Sequence, residues 1–127
     1  MIALDTSAVL AVLLQEAEAP KLIDTLSRSE TVVMSGGTLA ECLIVAQRRR
    51  VADKVLELIE ELDIEIVPVA RETARAVASA HSAWGKGVHP AALNFGDCFA
   101  YALAAEYGCP LLYVGHDFAK TDVVSAL

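Results

Sequence analysis

The sequence predicts an α/β fold with a central, mainly parallel sheet, and three observations support this prediction. Short apolar runs typical of buried strands recur along the chain, and helical segments separate them. No two-residue hairpin turn joins two neighbouring strands. The segment 93–105 is almost continuously apolar apart from Asp97, and residues 99–105 are apolar on every helical face, which is typical of a helix buried in the core. Strands that alternate with helices in this way favour a parallel sheet covered by helices.

The strands are predicted from short runs of apolar and β-branched residues. The first strand covers residues 1–4 and ends at Asp5, and the second, 31–34, is rich in Val and Thr. Two more strands are expected at 64–67 and 111–114, and residues 123–127 are expected to add an edge strand.

The helices are predicted from apolar residues at spacings of three and four. They cover residues 8–15, 16–27, 38–49, 51–62 and 71–84, together with the core helix that follows Asn94. Thr6 or Ser7 is expected to cap the first helix, and Asn94 to cap the core helix. The Ser-Gly-Gly run at 35–37 is expected to form a break between the second strand and the following helix. Residues 115–122 are expected to form a turn or short helix.

Length and composition bound the class of protein. A chain of 127 residues with no repeat, linker or low-complexity segment predicts a single domain over residues 1–127. No apolar run is long enough to span a membrane, and no basic region precedes the first apolar run, so neither a membrane span nor a signal peptide is expected. Cys42, Cys98 and Cys109 are odd in number and lie among apolar residues, which favours reduced thiols in the cytoplasm.

The net charge of −7 restricts how the protein could contact a nucleic acid. The average field of an acidic protein repels a polyanion. A nucleic-acid ligand would therefore require a metal ion that masks the acids locally, or a basic patch that attracts the phosphates.

Four acids are expected to meet at one edge of the sheet. Asp5 and Asp117 follow predicted strands, while Glu41 and Asp97 lie in the first turns of helices. Ligands of open parallel sheets bind beyond the carboxyl ends of the strands. Asp122, five residues after Asp117, could face the same cleft. Each acid also has a plain structural interpretation, as a cap, a turn residue or a solvated surface charge.

The chemistry that suits such a group of acids is metal binding. A site with only carboxylate oxygens suits Mg²⁺ or Mn²⁺ better than zinc, and the three histidines have no metal-binding spacing. Asp97 stands at the start of an apolar helix, where an unpartnered charge is costly, so a shared cation is the expected partner. The reaction that best matches carboxylate-bound Mg²⁺ is hydrolysis of a phosphodiester.

Four segments resemble PIN domains, and more closely the VapC-type toxins of toxin–antitoxin pairs. They are MIALDTSAVL at the start, LAE at 39–41, HPAALNFGDCFAYALA at 89–104 and PLLYVGHDFAKTD at 110–122. The resemblance implies a three-layer α/β/α sandwich and a metal-dependent endoribonuclease. It also implies an RNA substrate, a homodimer and a small antitoxin that blocks the acidic cleft.

Carried over to this chain, the resemblance assigns the family's acids by position. The metal-binding and catalytic acids fall on Asp5, Glu41, Asp97 and Asp117. Four further positions match residues that accompany these acids in the family: Thr6, Ser7, Asn94 and Asp122.

Two groups of cations are left with open interpretations. Arg48, Arg49 and Arg50 close a helix, where they complement its dipole or contact RNA phosphates or a partner. Lys86 lies between two glycines just before the core helix and is a second candidate for contact with substrate.

Three non-nuclease hypotheses are weighed as alternatives: a receiver-like signalling module, a phosphatase with a nucleophilic Asp, and a PIN scaffold used only for binding. A receiver would need paired acids after the first strand, but Thr6 and Ser7 follow Asp5. A phosphatase with a nucleophilic Asp would need a second Asp two residues later, where this chain has Ser7. The intact set of acids argues against a scaffold without activity.

Overall fold

The computed structural model describes all residues from 1 to 127 and contains the predicted parallel sheet. Its strands are β1 (Ile2–Leu4), β2 (Val32–Ser35), β3 (Glu65–Val67) and β4 (Leu111–Leu112). All three strand pairs are parallel, and the strand order is β3-β2-β1-β4. In the register, Ala3 of β1 lies between Val33 of β2 and Leu111 of β4.

Six α-helices and one short 3₁₀ helix connect and cover the strands. The α-helices are α1 (Thr6–Leu13), α2 (Ala19–Arg28), α3 (Gly36–Arg48), α4 (Ala52–Glu61), α5 (Arg71–Trp84) and α6 (Phe95–Tyr107). The 3₁₀ helix covers Phe118–Lys120. None of the helices is long and apolar enough to cross a membrane.

The helices form a layer on each face of the sheet. Successive residues of a strand point to opposite faces, so Ile2 and Leu4 lie in one apolar core and Ala3 in the other. The first core is completed by α1, α2, α3 and α4, and the second by α5 and α6. This arrangement confirms the predicted α/β/α sandwich.

Three local predictions differ from the structure. Asp5, not Thr6 or Ser7, caps α1, since its side chain accepts a hydrogen bond from the Ser7 backbone N–H. The glycines at 36–37 form the first turn of α3 because Ser35 caps them through its side chain. The expected edge strand at 123–127 is reduced to one parallel bridge, between Leu111 and Ser125.

The carboxyl ends of the central strands set the position of the candidate site. Asp5 follows β1 at once, and its backbone N–H bonds to the carbonyl of Leu112 in β4. On the other side of β1, β2 ends at Ser35, from which α3 departs. The first turns of α1 and α3 therefore begin next to each other at one edge of the sheet.

Candidate active site

Asp5 is a buried carboxylate with one satisfied and one unsatisfied oxygen. Its Oδ2 accepts hydrogen bonds from the backbone N–H of Ser7 at 3.0 Å and from Ser7 Oγ at 2.6 Å. Ser7 Oγ in turn accepts a bond from the backbone N–H of Val114 at 3.0 Å. Only 3% of Asp5 is exposed, and its Oδ1 has no hydrogen-bond partner. A buried anionic oxygen without a donor is costly, so this atom is a natural ligand for a cation.

Glu41 is held between the first turns of α1 and α6. Thr6 Oγ1 donates a hydrogen bond of 2.8 Å to Glu41 Oε1. The other oxygen, Oε2, lies against the backbone of Gly96 in the first turn of α6, where a Cβ would collide with it. The absence of a side chain at position 96 therefore makes room for the carboxylate.

Asp97 is fixed by a reciprocal capping interaction with Asn94. The Asp97 backbone N–H donates to Asn94 Oδ1 at 2.8 Å, and Asp97 Oδ2 accepts from the Asn94 backbone N–H at 3.0 Å. This pair forms the capping box predicted in part from Asn94. One carboxylate oxygen thus holds the helix end, and Oδ1 is left over for a ligand.

Burial and mutual repulsion raise the pKa values of these three carboxyl groups. Burial is the largest cause for each of them. The charge of Glu41 further raises the pKa of Asp5, and the charge of Asp97 raises that of Glu41. The pKa of Asp97 reaches about 6, through burial first and then the charges of Asp5 and Asp117. The three carboxylates therefore lie within reach of one another's fields.

The negative charges of these carboxylates also raise the pKa values of two buried thiols. Burial, followed by the charges of Asp5 and Glu41, raises the pKa of Cys42 to about 12. Cys98 is raised to about 11 by burial and by the charge of Asp97. All three cysteines are free thiols, and Cys42 and Cys98 are fully buried. These two thiols are protonated packing residues, not nucleophiles.

Asp117 and Asp122 occupy different surroundings. Asp117 is exposed at the start of the 3₁₀ helix, close enough for its charge to act on Asp97. Asp122 is also exposed, and its Oδ1 accepts a hydrogen bond from the Tyr101 hydroxyl. The structure thus groups Asp5, Glu41 and Asp97, places Asp117 beside Asp97, and engages Asp122 elsewhere.

The chemical nature of the grouped acids suits a hard cation, although their carboxylates do not converge on one point. No three His, Cys, Asp or Glu side chains form a metal-binding cluster in this structure. Like charges repel one another strongly in a buried site. The donor set consists only of oxygens, and it includes the unpartnered Asp5 Oδ1. These properties suit Mg²⁺ or Mn²⁺.

The histidines and the predicted cationic contacts lie outside this group. His89 Nδ1 accepts a hydrogen bond from the backbone N–H of Ala91, while His81 and His116 are exposed. Residues 48–50 are exposed at the far end of α3, and none of these arginines forms an ion pair. Arg48 is seven residues from Glu41, or about 10 Å along the helix. Lys86 is exposed in the loop before α6.

Two residues important for this geometry were not identified by their roles from the sequence. Gly96 is one, and its signal was a glycine in the first turn of an otherwise strong helix, where the missing side chain allows close approach of another group. Thr6 is the other, since it was considered as a cap and instead donates to Glu41. A hydroxyl residue after Asp5 gave no hint of a partner 35 residues away.

Comparison with known proteins places this geometry in a family. The family model of the PIN domain matches residues 2–124. Ribonuclease VapC28 of Mycobacterium tuberculosis is 42% identical to the chain, and the match covers 97% of this chain and 96% of the relative. Ribonuclease VapC36 of the same species is 43% identical, with 94% of this chain and 88% of the relative covered.

Solved structures show the same fold at lower identity. The crystal structure of Mycobacterium tuberculosis VapC20, described as a sarcin-ricin loop cleaving toxin, matches with a TM-score of 0.78 and 16% identity, over 98% of this chain and 97% of that one. A toxin–antitoxin complex from Klebsiella pneumoniae matches with a TM-score of 0.75 and 16% identity, over 100% and 98% of the two chains. From the matched PIN model and the VapC relatives above 40% identity, the chain belongs to the PIN domain family and, within it, to the VapC ribonucleases.

Proposed function

We propose that this protein is a divalent-metal-dependent endoribonuclease that acts as the toxin of a toxin–antitoxin pair. The observation that best supports the proposal is the buried Oδ1 of Asp5, which has no hydrogen-bond donor although its carboxylate lies within the fields of Glu41 and Asp97. The ribonuclease names of the VapC relatives support RNA as the substrate.

In this proposal, four acids share the work of binding Mg²⁺ or Mn²⁺. Asp5 and Asp97 offer free Oδ1 atoms, Glu41 offers its carboxylate beside Gly96, and Asp117 approaches from the loop after β4. When bound, such a cation supplies an activated water and offsets negative charge on the phosphate. The chain's own residues hold these oxygens in place: Ser7 fixes Asp5, Thr6 fixes Glu41 and Asn94 fixes Asp97.

Partners follow from the charge balance and the apolar surface. The net charge of −7 does not favour tight wrapping by nucleic acid, so we propose cleavage at a local site. A related structure, VapBC2 from Rickettsia felis, is described as bound to a promoter DNA fragment. For the present chain we propose a cognate antitoxin and a homodimer. Exposed Phe95, Ile44 and Val69 support a surface that another protein covers.

The reduced thiols support a cytoplasmic location.

The test is cleavage of a closed circular RNA by the purified protein with Mg²⁺, Mn²⁺ or EDTA. A circle has no end, so conversion to linear RNA demonstrates an endonuclease. We expect cleavage with either metal and none with EDTA. Asp97→Asn keeps the capping oxygen and removes the charge, so it should fold and lose cleavage. Asp63→Asn is the matched control, because Asp63 is an exposed acid. It precedes the amino end of β3, whereas the site lies at the carboxyl ends of the strands.

Two results would refute the assignment. Cleavage by Asp97→Asn at the rate of the unmodified protein would exclude Asp97 from the site. Cleavage that persists in EDTA would refute metal dependence. For the biological role, expression should arrest growth, and co-expression with the proposed cognate antitoxin should lift the arrest.

A further inference from the structure

The Tyr101 hydroxyl connects three separate segments of the chain. Tyr101 lies one helical turn after Asp97 in α6, so both residues share a helix face. Its hydroxyl accepts a hydrogen bond from Trp84 Nε1 at 3.0 Å and donates one to Asp122 Oδ1 at 2.5 Å. These two hydrogen bonds join the end of α5, the helix α6 that contains Asp97, and the segment that follows β4.

The bond to Asp122 restrains the segment that contains Asp117. Asp117 makes no side-chain hydrogen bond, so its position depends on how residues 115–122 are anchored. The buried Phe118 is one anchor, and its ring packs 5.2 Å from that of Tyr113. The hydrogen bond between Asp122 and Tyr101 is a second anchor, and it attaches the far end of the segment to α6.

The bond to Trp84 connects Tyr101 to the support of Asp97, the acid in the first turn of α6. The carbonyl of Trp84 accepts a hydrogen bond from the backbone N–H of Leu93 at 3.0 Å. Leu93 immediately precedes Asn94, which caps α6 and bonds to Asp97. The Tyr101 hydroxyl is therefore connected to the supports of both Asp97 and Asp117.

We propose that Tyr101 is a positioning residue that fixes the separation of Asp97 and Asp117 through its hydrogen bonds to Trp84 and Asp122. The inference rests on the proposed metal site and gives Asp122 a role outside it. Asp122 bonds to a phenol and acts through it, so it need not ligate the cation. Outer residues that orient metal ligands commonly change metal affinity about 10- to 100-fold when they are replaced.

The experiment measures Mn²⁺ binding to the purified protein by calorimetry, with hydrogen exchange of residues 115–122 as a second measurement. Tyr101→Phe removes the hydroxyl and keeps the ring. We expect about tenfold or greater weakening of Mn²⁺ binding and faster exchange at the amides of Lys120 and Thr121. Tyr107→Phe is the matched control, since Tyr107 lies in the same helix, is 37% exposed and forms no side-chain hydrogen bond.

Variants at position 122 test the same connection from the exposed side. Asp122→Ala should weaken Mn²⁺ binding as Tyr101→Phe does, and Asp122→Asn, which keeps an acceptor oxygen, should retain most of the affinity. A purely stabilising role would lower the melting temperature without changing Mn²⁺ affinity below it. Should Tyr101→Phe fail to unfold cooperatively, Asp122→Ala decides, because Asp122 is exposed and outside the core.

Unchanged Mn²⁺ affinity in Tyr101→Phe, or in Asp122→Ala where that variant decides, would overturn the inference. So would an unmodified protein that binds no Mn²⁺. A protein that binds Mn²⁺ but leaves circular RNA intact would refute the proposed nuclease while the role of Tyr101 is still tested. A protein that cleaves RNA with unchanged affinity in both variants would refute the role of Tyr101 alone.

Discussion

Thr6 Oγ1 lies 2.8 Å from Glu41 Oε1 and links the first turn of α1 to α3. The same hydroxyl lies 3.3 Å from the backbone carbonyl of Thr38, one turn before Glu41. The hydrogen bond lowers the pKa of Glu41, opposing the larger effect of burial. The residue next to Asp5 therefore helps a second acid to ionise.

Replacing Thr6 by Val should impair the proposed site while largely preserving side-chain shape. Without the donor, the pKa of Glu41 rises further, so its carboxylate ionises only at higher pH. A hydrogen bond to a charged group contributes about 1.5–3 kcal/mol, so we expect at least about tenfold slower RNA cleavage near neutral pH. The acidic limb of the pH–rate profile should move to higher pH. Thr6→Ser keeps the hydroxyl and should behave like the parent; an unshifted profile in Thr6→Val would contradict the role of this bond.

The pKa of Asp97 predicts how stability depends on pH without metal. Its pKa is about 6 in the folded protein against an ordinary value of 3.8, so the folded state binds this proton more tightly. The resulting stabilisation is complete below about pH 4 and is lost as the pH rises through about 6. Asp97→Asn has no such loss. In EDTA, its melting temperature should match the parent at pH 4 and exceed it by several degrees at pH 7, which corresponds to an order of 2 kcal/mol once the shift is discounted for the partial exposure of Asp97 to solvent. An equal difference at both pH values would contradict the raised pKa.

Removal of the metal should lower the melting temperature of the unmodified protein. A ligand that binds only the folded state stabilises it by about 2.7 kcal/mol at a hundredfold excess over Kd. Mg²⁺ should therefore raise the melting temperature, and EDTA should reverse the rise. Asp5→Asn keeps an oxygen for the cap of α1 but removes the buried charge, so the rise should disappear. Asp63→Asn should keep it. A rise of equal size in Asp5→Asn would show that the cation binds elsewhere.

Much of the fold follows from local patterns in the sequence. Apolar runs located the four strands, and helical periodicity located the six helices, because both signals depend on neighbouring residues. The Asn94 cap was predictable for the same reason. Parallel strands end at one edge of a sheet, which allowed Asp5, Glu41 and Asp97 to be placed near one another. Their role as metal ligands stays a prediction.

The contacts that refine the site join residues that are far apart in the sequence. Thr6 and Glu41 are separated by 35 positions, and Tyr101 and Asp122 by 21. Such pairs depend on how helices pack against each other, which no local pattern specifies. The cap of α1 was assigned wrongly because Asp, Thr and Ser are all good caps, and only the structure shows which side chain accepts the bond. The length of strand predicted at 123–127 was too great, because this segment pairs with a β4 of only two residues.

The packing of Gly96 against Glu41 can be tested by two substitutions and their combination. Alanine restricts the unfolded chain more than glycine does, so Gly96→Ala in the first turn of α6 should stabilise the protein by up to about 1 kcal/mol if space allowed it. A Cβ there would displace the Glu41 carboxylate from its hydrogen bond with Thr6, so we expect this variant to unfold at lower urea concentration and to lose RNA cleavage. In a Glu41→Ala background the obstacle is gone, and the same change should become neutral or stabilising. Urea unfolding of the four proteins gives the coupling free energy, which should be at least about 1 kcal/mol. Equal effects of Gly96→Ala in both backgrounds would show that Glu41 does not occupy the space beside Gly96.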